Sequence, residues 1–317
     1  MKVLVTTKLP GSPEQLLKKN GFDVYLYEGK ENLSRKELLK LSRDADGILC
    51  LLSEKIDKEV IDNFQKCKVV ANYAVGYNNI DIGYAKEKNI VVTNTPDVLT
   101  DATADIAVSL ILACARRIGE GERLMRGKKF KGWKPDMLLG QDLKGKVVGI
   151  IGAGRIGSTV AKRMSGFDTS IIYYSRSRNE KLEKEFNAKK VSLSRLMKKA
   201  DIISIHIPLN PSTKNLIDES KLSLMKSNAI LVNTARGEVI DEKYLIKMLQ
   251  GNKIFAAGFD VYEGEPAVNP ELYKLENVFL LPHIGSATIE TRSAMSKLAA
   301  QNIINVLKGK KALTPVT

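Results

Sequence analysis

The sequence predicts an α/β protein built on two doubly wound parallel sheets. Three observations carry this. Short apolar runs alternate with helix-patterned stretches almost throughout, the signature of successive βαβ units. The chain has 317 residues, long for one core and comfortable for two. A glycine-rich turn, Gly152-Ala153-Gly154-Arg155-Ile156-Gly157, separates a strand pattern from a helix pattern near mid-chain, where a second α/β series begins.

In order, "KVLVT", "FDVYLY", "DGILCL", "KVVANYA" and "IVVTN" read as strands. "PEQLLKK", "SRKELLKLS", "DKEVIDNF" and "DIGYAKEK" between them read as helices. A boundary falls near Pro96. After it, Thr100 and Asp101 cap one long helix that runs through Arg116-Arg117 toward Gly127. "KFKGWKPDMLLGQDLKG" is loop-like. The second series has the strands "VVGII", "SIIYY", "DIISIHI", "AILVNT", "FAAGF" and "VFLLP". A last helix, Thr288 to Lys308, stops at Gly309.

Composition narrows the function classes. Hydrophobic residues make up 44% and charged residues 27%, an ordinary globular balance. The longest apolar helix pattern, Ile106 to Ala115, is too short to span a bilayer, and no secretory signal is visible. A soluble, cytoplasmic protein is expected, with no membrane partner. Cys50, Cys67 and Cys114 form no CxxC pair, so reduced thiols and no metal site are expected. The net charge of +14 comes from dispersed lysines without a recognition motif, which argues against nucleic acid. It fits a lysine-rich solvated surface, or steering of anionic ligands.

The glycine turn has the spacing of a dinucleotide site. Its glycines permit a tight turn and close approach of a pyrophosphate to a helix N-terminus. The next strand ends at Tyr174. There an NAD site usually shows an acid, about 20 residues past the glycines, for the ribose hydroxyls. This chain has Ser175, Arg176, Ser177 and Arg178 instead. Hydroxyls and a guanidinium suit a 2′-phosphate. NADP(H) is therefore the preferred cofactor, with NAD(H) possible if the turn is merely an exposed basic loop.

Three later strands each run into a chemical group: "AILVNT" into Arg236, "FAAGF" into Asp260, Glu263 and Glu265, and "VFLLP" into His283. The carboxyl ends of parallel strands meet where the cofactor lies. Reduction of a 2-oxo acid needs a hydride from the nicotinamide, a proton for the carbonyl oxygen and a cation for the carboxylate. His and Arg supply the last two, and a carboxylate beside the His would orient it. Taken singly, Arg236 or Glu265 could be a surface ion pair and His283 a satisfied loop residue. The other histidine, His206, reads as a wall of the adenine side.

At these residues the chain resembles the D-isomer-specific 2-hydroxyacid dehydrogenases, over nearly its whole length. The motifs are "AVGYNNID", "ATAD", "GAGRIG", "NTARGEVID", "GFDVYEGEP" and "PHIGSAT". The "YYSRSR" turn is most similar to the glyoxylate/hydroxypyruvate reductase branch. The resemblance implies Arg236, Glu265 and His283 as the catalytic set. It puts Thr103, Thr234, Ala235, Asp260, His283 and Gly285 around the nicotinamide, and counts Pro208 among the cofactor residues with Gly152, Gly154, Arg155, Ile156, Gly157 and the 175–177 turn. Leu52, Ser53, Val75, Gly76 and Ser286, with Arg236 and His283, are the implied substrate residues. It implies a Rossmann coenzyme domain, 99–287, inserted in a flavodoxin-like substrate domain, 1–98 and 288–317. The two would close by a hinge motion, and the protein would be a homodimer built on the helix after Thr100.

Two departures stand out. Asn78 occupies a position where the family usually has Asp. The branch commonly shows a Trp-x-Pro-x-Trp loop, and this chain reads Trp133-Lys134-Pro135-Asp136-Met137. Met137 in place of a second indole implies a looser, less polar pocket, unless it only packs in the dimer interface. The alternatives are a D-3-phosphoglycerate dehydrogenase, whose members usually carry an acid at the ribose position, and a non-enzymatic nicotinamide-sensing regulator.

Overall fold

The structure, a computed structural model, describes residues 1–29 and 31–317. The first α/β series comprises β1 (Lys2–Val5), α1 (Pro13–Lys19), β2 (Asp23–Leu26), α2 (Arg35–Ser42), β3 (Gly47–Cys50), α3 (Lys58–Asn63), β4 (Val69–Asn72), α4 (Ile82–Glu87) and β5 (Val91–Thr93). Then come α5 (Thr100–Ala115), α6 (Ile118–Arg126), β6 (Val147–Ile151), α7 (Arg155–Ser165), β7 (Ser170–Tyr174), α8 (Glu180–Phe186) and β8 (Lys189–Lys190). They are followed by α9 (Leu193–Lys199), β9 (Ile202–Ile205), α10 (Glu219–Leu222), β10 (Ile230–Asn233), α11 (Glu242–Gln250), β11 (Ala256–Phe259), β12 (Val278–Leu280) and α12 (Ile289–Leu307).

These elements form two compact units: Met1–Leu99 with Ser286–Thr317, and Thr100–Gly285. The first holds a five-stranded parallel sheet in the order β2-β1-β3-β4-β5. That is the flavodoxin-like order. The second holds a seven-stranded parallel sheet, β12-β11-β10-β9-β6-β7-β8. With β6 counted as its first strand, this is the Rossmann order extended by one. Every residue of β3, β4, β9, β10 and β11 is buried, as expected of parallel strands covered on both faces.

Local rules explain most element starts. Ser34 and Glu37 form a reciprocal capping box on α2, and Asp57, Asp81, Asn179 and Thr288 each accept a backbone N–H at the start of a helix. α12 returns to the first unit and packs on β3, β4 and α1. Gly47 makes room for it: a Cβ there would lie 3.2 Å from Ile303 and 3.3 Å from Leu307. Beyond α12, buried Asn302 accepts the amides of Leu313 and Thr314, and Val316 pairs with Val92.

One sequence expectation needs correction, and one strand is not foreseen. The long helix after Thr100 is two helices. The Ala115 carbonyl accepts the Gln141 N–H of a distant loop, at 2.7 Å, and Arg117 turns into the left-handed region. A side chain at Gly140 would collide with the same carbonyl. The edge strand β8, two exposed lysines, has no apolar pattern to announce it. Among the described residues no helix is long and apolar enough to cross a membrane.

Candidate active site

The glycine turn lies between β6 and α7, and each glycine has its own reason. Gly152 has φ of 98°, and a Cβ there would meet the His206 carbonyl oxygen at 2.6 Å. A Cβ at Gly157 would sit 2.1 Å from the Gly152 carbonyl oxygen, so α7 could not approach β6. Gly154, the N-cap of α7, has open space where its side chain would be. Two glycines thus build the turn and the third leaves it uncovered, with Arg155 and Ile156 opening the helix. An anion suits that position, where unpaired helix N–H groups point outward.

The turn at the end of β7 is tied to the glycine loop through Asn179. Its side chain donates to the Ala153 carbonyl at 2.8 Å and to Ser158 Oγ at 2.9 Å. Its own N–H donates to the Tyr173 hydroxyl. That hydroxyl in turn donates to Glu183, which also holds Arg178 at 2.6 Å. Arg178 is therefore committed within the protein. Arg176 and Ser177 are exposed and Ser175 half-buried. The Arg176 carbonyl accepts from Lys190 on β8, and its guanidinium has no ion pair among the described residues. The turn offers a cation and two hydroxyls, and it carries no acid at the ribose position.

His206 follows β9 beside the glycine turn. Burial lowers its pKa to about 3, and its Nε2 meets Ser204 Oγ at 2.8 Å, so it stays neutral. Pro208, two residues on, is exposed, and its carbonyl accepts from Thr213.

The chemical groups gather at the ends of β10, β11 and β12, three adjacent parallel strands. Asn233, the last residue of β10, is fully buried and ties off the next turn: it donates to the Arg236 carbonyl and accepts from the Ala235 amide. Gly237 then lets that turn touch the Tyr262–Glu263 backbone, where a Cβ would collide. Burial pulls the Arg236 guanidinium down, opposed by the charges of Glu265 and Glu238. One of its nitrogens donates to the Ala235 carbonyl. The Thr234 hydroxyl is buried without a hydrogen-bond partner among the described residues.

Glu265 Oε1 accepts the Tyr262 N–H at 2.9 Å, and Oε2 meets His283 Nδ1 at 2.7 Å. Burial pushes this carboxyl up. The hydrogen bond and charge of His283, the Tyr262 amide and the Arg236 cation outweigh burial and hold it below the ordinary range. An ionised Glu265 only accepts, so Nδ1 carries the proton and Nε2 is left for another partner. His283 has φ of 54°, which costs about 1–3 kcal/mol for such a residue. Asp260 holds it there. Its two oxygens accept the Ile284 and Gly285 amides, both at 2.7 Å. Burial raises the Asp260 carboxyl against those bonds and the His283 charge. Thr103 completes this corner, about one van der Waals contact from where a Gly285 side chain would stand.

Residues 108–285 match the family described as D-isomer specific 2-hydroxyacid dehydrogenase, NAD binding domain. A glyoxylate reductase of Thermococcus litoralis is 48% identical over 312 residues, covering 97% of this chain and 94% of the relative. The chain belongs to the D-isomer specific 2-hydroxyacid dehydrogenase family. As an NAD(P)-dependent dehydrogenase it shares its fold with a solved Thermus thermophilus protein, at 41% identity, full coverage of both chains and a TM-score of 0.94. It is also similar to the NADPH-dependent glyoxylate/hydroxypyruvate reductase of Sinorhizobium meliloti, solved in complex with NADP and malonate. That similarity has 33% identity and a TM-score of 0.89, covering 100% of this chain and 96% of the other. The dehydrogenase family reduces 2-oxo acids, which suits an Arg, a Glu and a His at adjacent strand ends.

The other unit carries the remaining sequence-assigned residues. Leu52 is half-buried and Ser53 exposed, in the turn after β3. Val75 and Gly76 follow β4. Their carbonyls are taken, by Asn94 and by Asn72, while neither amide donates to a partner among the described residues. Ser286 opens the return to this unit. Sequence reasoning missed the asparagines that tie off these turns: Asn72, Asn94, Asn179 and Asn233. A signal exists for three of them, an Asn that ends or follows a buried apolar run, in "VVAN", "VVTN" and "ILVN".

Proposed function

We propose that the protein is an NADPH-preferring reductase of small 2-oxo acids, glyoxylate and hydroxypyruvate foremost. The observation that carries this reading is the His283–Glu265 pair, 2.7 Å apart and within the field of Arg236. The bound nicotinamide supplies the hydride. The protein supplies the rest. Glu265 fixes the ring through Nδ1 and stabilises the imidazolium, and Nε2–H delivers the proton to the carbonyl oxygen. Arg236 holds the carboxylate with its planar fork and stabilises charge developing on the carbonyl oxygen. The open amides of Val75 and Gly76, with Leu52, Ser53 and Ser286, serve the substrate.

The coenzyme belongs to the unit Thr100–Gly285 in this reading, and the substrate to the other. Gly152, Gly154, Arg155, Ile156 and Gly157 take the pyrophosphate. Thr103, Thr234, Ala235, Asp260 and Gly285 take the nicotinamide half, and Pro208 lines the site. Ser175, Arg176 and Ser177 take the 2′-phosphate. Exposed Ile118, Met125, Phe130, Trp133 and Leu139, all within 118–139, support a homodimer through that segment. A cytoplasmic location accompanies the metabolite substrate.

One substrate panel tests the reading. Glyoxylate, hydroxypyruvate, pyruvate and 3-phosphohydroxypyruvate are each assayed with NADPH and NADH. The expected result is glyoxylate and hydroxypyruvate first, with pyruvate accepted because half-buried Met137 replaces an indole. NADPH should lead NADH by about tenfold, the worth of one charged hydrogen bond. A tenfold lead for NADH overturns the coenzyme assignment, and a lead for the phosphorylated acid overturns the substrate.

A further inference from the structure

The turn after β3 contains a buried acid that the proposed chemistry does not use. Glu54 is only 4% exposed. Its Oε2 accepts the Leu51 N–H at 2.9 Å, and its own N–H returns a bond to the Leu51 carbonyl at 3.2 Å. Asn79 Nδ2 bridges the same two residues, donating to the Leu51 carbonyl at 3.1 Å and the Glu54 carbonyl at 3.0 Å. Leu52 and Ser53 are the two residues enclosed by this ring. The other carboxyl oxygen, Oε1, is buried; the Thr6 hydroxyl, also buried, lies near the carboxyl, and neither atom makes a hydrogen bond of good geometry among the described residues.

We propose that Glu54 is a positioning residue that closes the Leu51–Glu54 turn and tunes it for an anionic substrate. The proposal rests on the assignment of Leu52 and Ser53 to the 2-oxo acid. Its logic is electrostatic. An acid beneath a turn that receives a carboxylate favours binding when neutral and opposes it when charged. Burial pushes Glu54 up to about 7, against the Leu51 amide and the nearby Thr6 hydroxyl, and no cation is among the groups that shift it. Glu54 in turn raises the neighbouring Cys50 thiol, which burial already holds protonated. Glu54 therefore changes charge within the working range of an enzyme. Anion affinity falls as pH rises through that value.

The test uses the full-length protein with NADPH bound and oxamate as the probe, a carboxylate isosteric with pyruvate that accepts no hydride. Its Kd is measured by calorimetry between about pH 6 and about pH 8.5 for wild type and Glu54→Gln, which keeps an acceptor for Leu51 and cannot charge. His283 contributes equally to both proteins, so the ratio of the two Kd values isolates Glu54. The ratio should lie near one at low pH and rise about three- to tenfold at high pH, the effect of one like charge. Glu54→Ala, with no acceptor for Leu51, should bind oxamate more weakly at every pH while coenzyme Kd is unchanged. A flat ratio with measurable binding overturns the Glu54 proposal alone. No oxamate binding to the wild-type NADPH complex overturns the 2-oxo acid reading instead. If Glu54→Gln does not fold, Glu54→Asp serves: it keeps the charge, so its Kd for oxamate should rise with pH as that of wild type does. A pH-independent Kd in that variant overturns the proposal too.

Discussion

Two glutamates in different units close the same local ring. Glu54 and Glu265 each accept the N–H of the residue three positions before, at 2.9 Å in both cases. The difference lies in the second oxygen. That of Glu265 meets the His283 imidazole and feels Arg236, and its carboxyl is held below the ordinary range. That of Glu54 has the Thr6 hydroxyl near it and no cation among the groups that shift it, and its carboxyl is pushed up to about 7. The backbone geometry does not decide the charge of a buried acid. Depth and the partner beside it do: Glu54 is the more deeply buried and is shifted by no cation, whereas Glu265 is partly exposed and is repaid by His283 and Arg236. One turn thereby keeps a fixed negative charge next to its histidine, and the other keeps a charge that depends on pH.

His283→Ala is the strongest way to break this contrast. It should lower kcat about 10²–10⁴-fold, the usual worth of a positioned acid, with coenzyme Kd little changed. It should also leave Glu265 with burial and no imidazole, so its carboxyl should titrate higher, as Glu54 does. Carboxyl carbon NMR reads that shift directly, and turnover near wild type would remove His283 from the chemistry. Arg236→Lys keeps the cation but not the fork. KM should rise and kcat fall together, for a loss in kcat/KM of about 1.5–3 kcal/mol. If kcat alone falls, the carboxylate is held elsewhere.

The next effect is on stability. Glu54 has a folded pKa near 7 against an ordinary 4.5, so folding takes up a proton between those values. Wild type should lose stability as pH rises from about 4.5 to about 7, on the order of 1–3 kcal/mol. Glu54→Gln should lack that slope in denaturant titrations, and equal slopes would show that Glu54 is solvated. Glu265, held low, has the opposite sign: its contribution is present above 4.5 and is lost as pH falls through its folded pKa. The smallest effect sharpens the comparison. Glu265→Gln keeps the shape and removes the fixed charge beside the His283 ring, so kcat for reduction should fall by about tenfold or less with coenzyme Kd unchanged. An unchanged kcat would leave Glu265 a purely structural acceptor.

The fold is legible in the sequence wherever burial is two-sided. The runs around β3, β4, β9, β10 and β11 are apolar because both faces are covered, and they stand out against charged helices. The break between α5 and α6 is not legible, because a distant loop makes it. Residues 115–121 keep an acceptable helical pattern until Gln141 claims the Ala115 carbonyl. The candidate site divides in the same way. Arg236, Glu265 and His283 follow strands that read clearly and pair side by side, so their neighbourhood can be inferred. Arg176 and Arg178 look equivalent in the sequence, yet the ion pair with Glu183 commits only the second. Glu54 reads as one more surface acid in "LLSEKID", since nothing local reports that its turn folds inward.

The return of α12 to the first unit has a consequence for synthesis on the ribosome. Residues 100–285 form a continuous stretch and can close their own sheet once they have emerged. The five-stranded sheet cannot. The seat beside Gly47 stays empty until Ile303 and Leu307 arrive, and the β5 edge waits for Val316. Until then β3 and β4 lack the helix that covers one of their faces. Domains tend to fold in order of emergence, so here the inserted unit matures before the one that precedes it. The amino-terminal sheet thus depends for its covered face on residues made after the inserted unit.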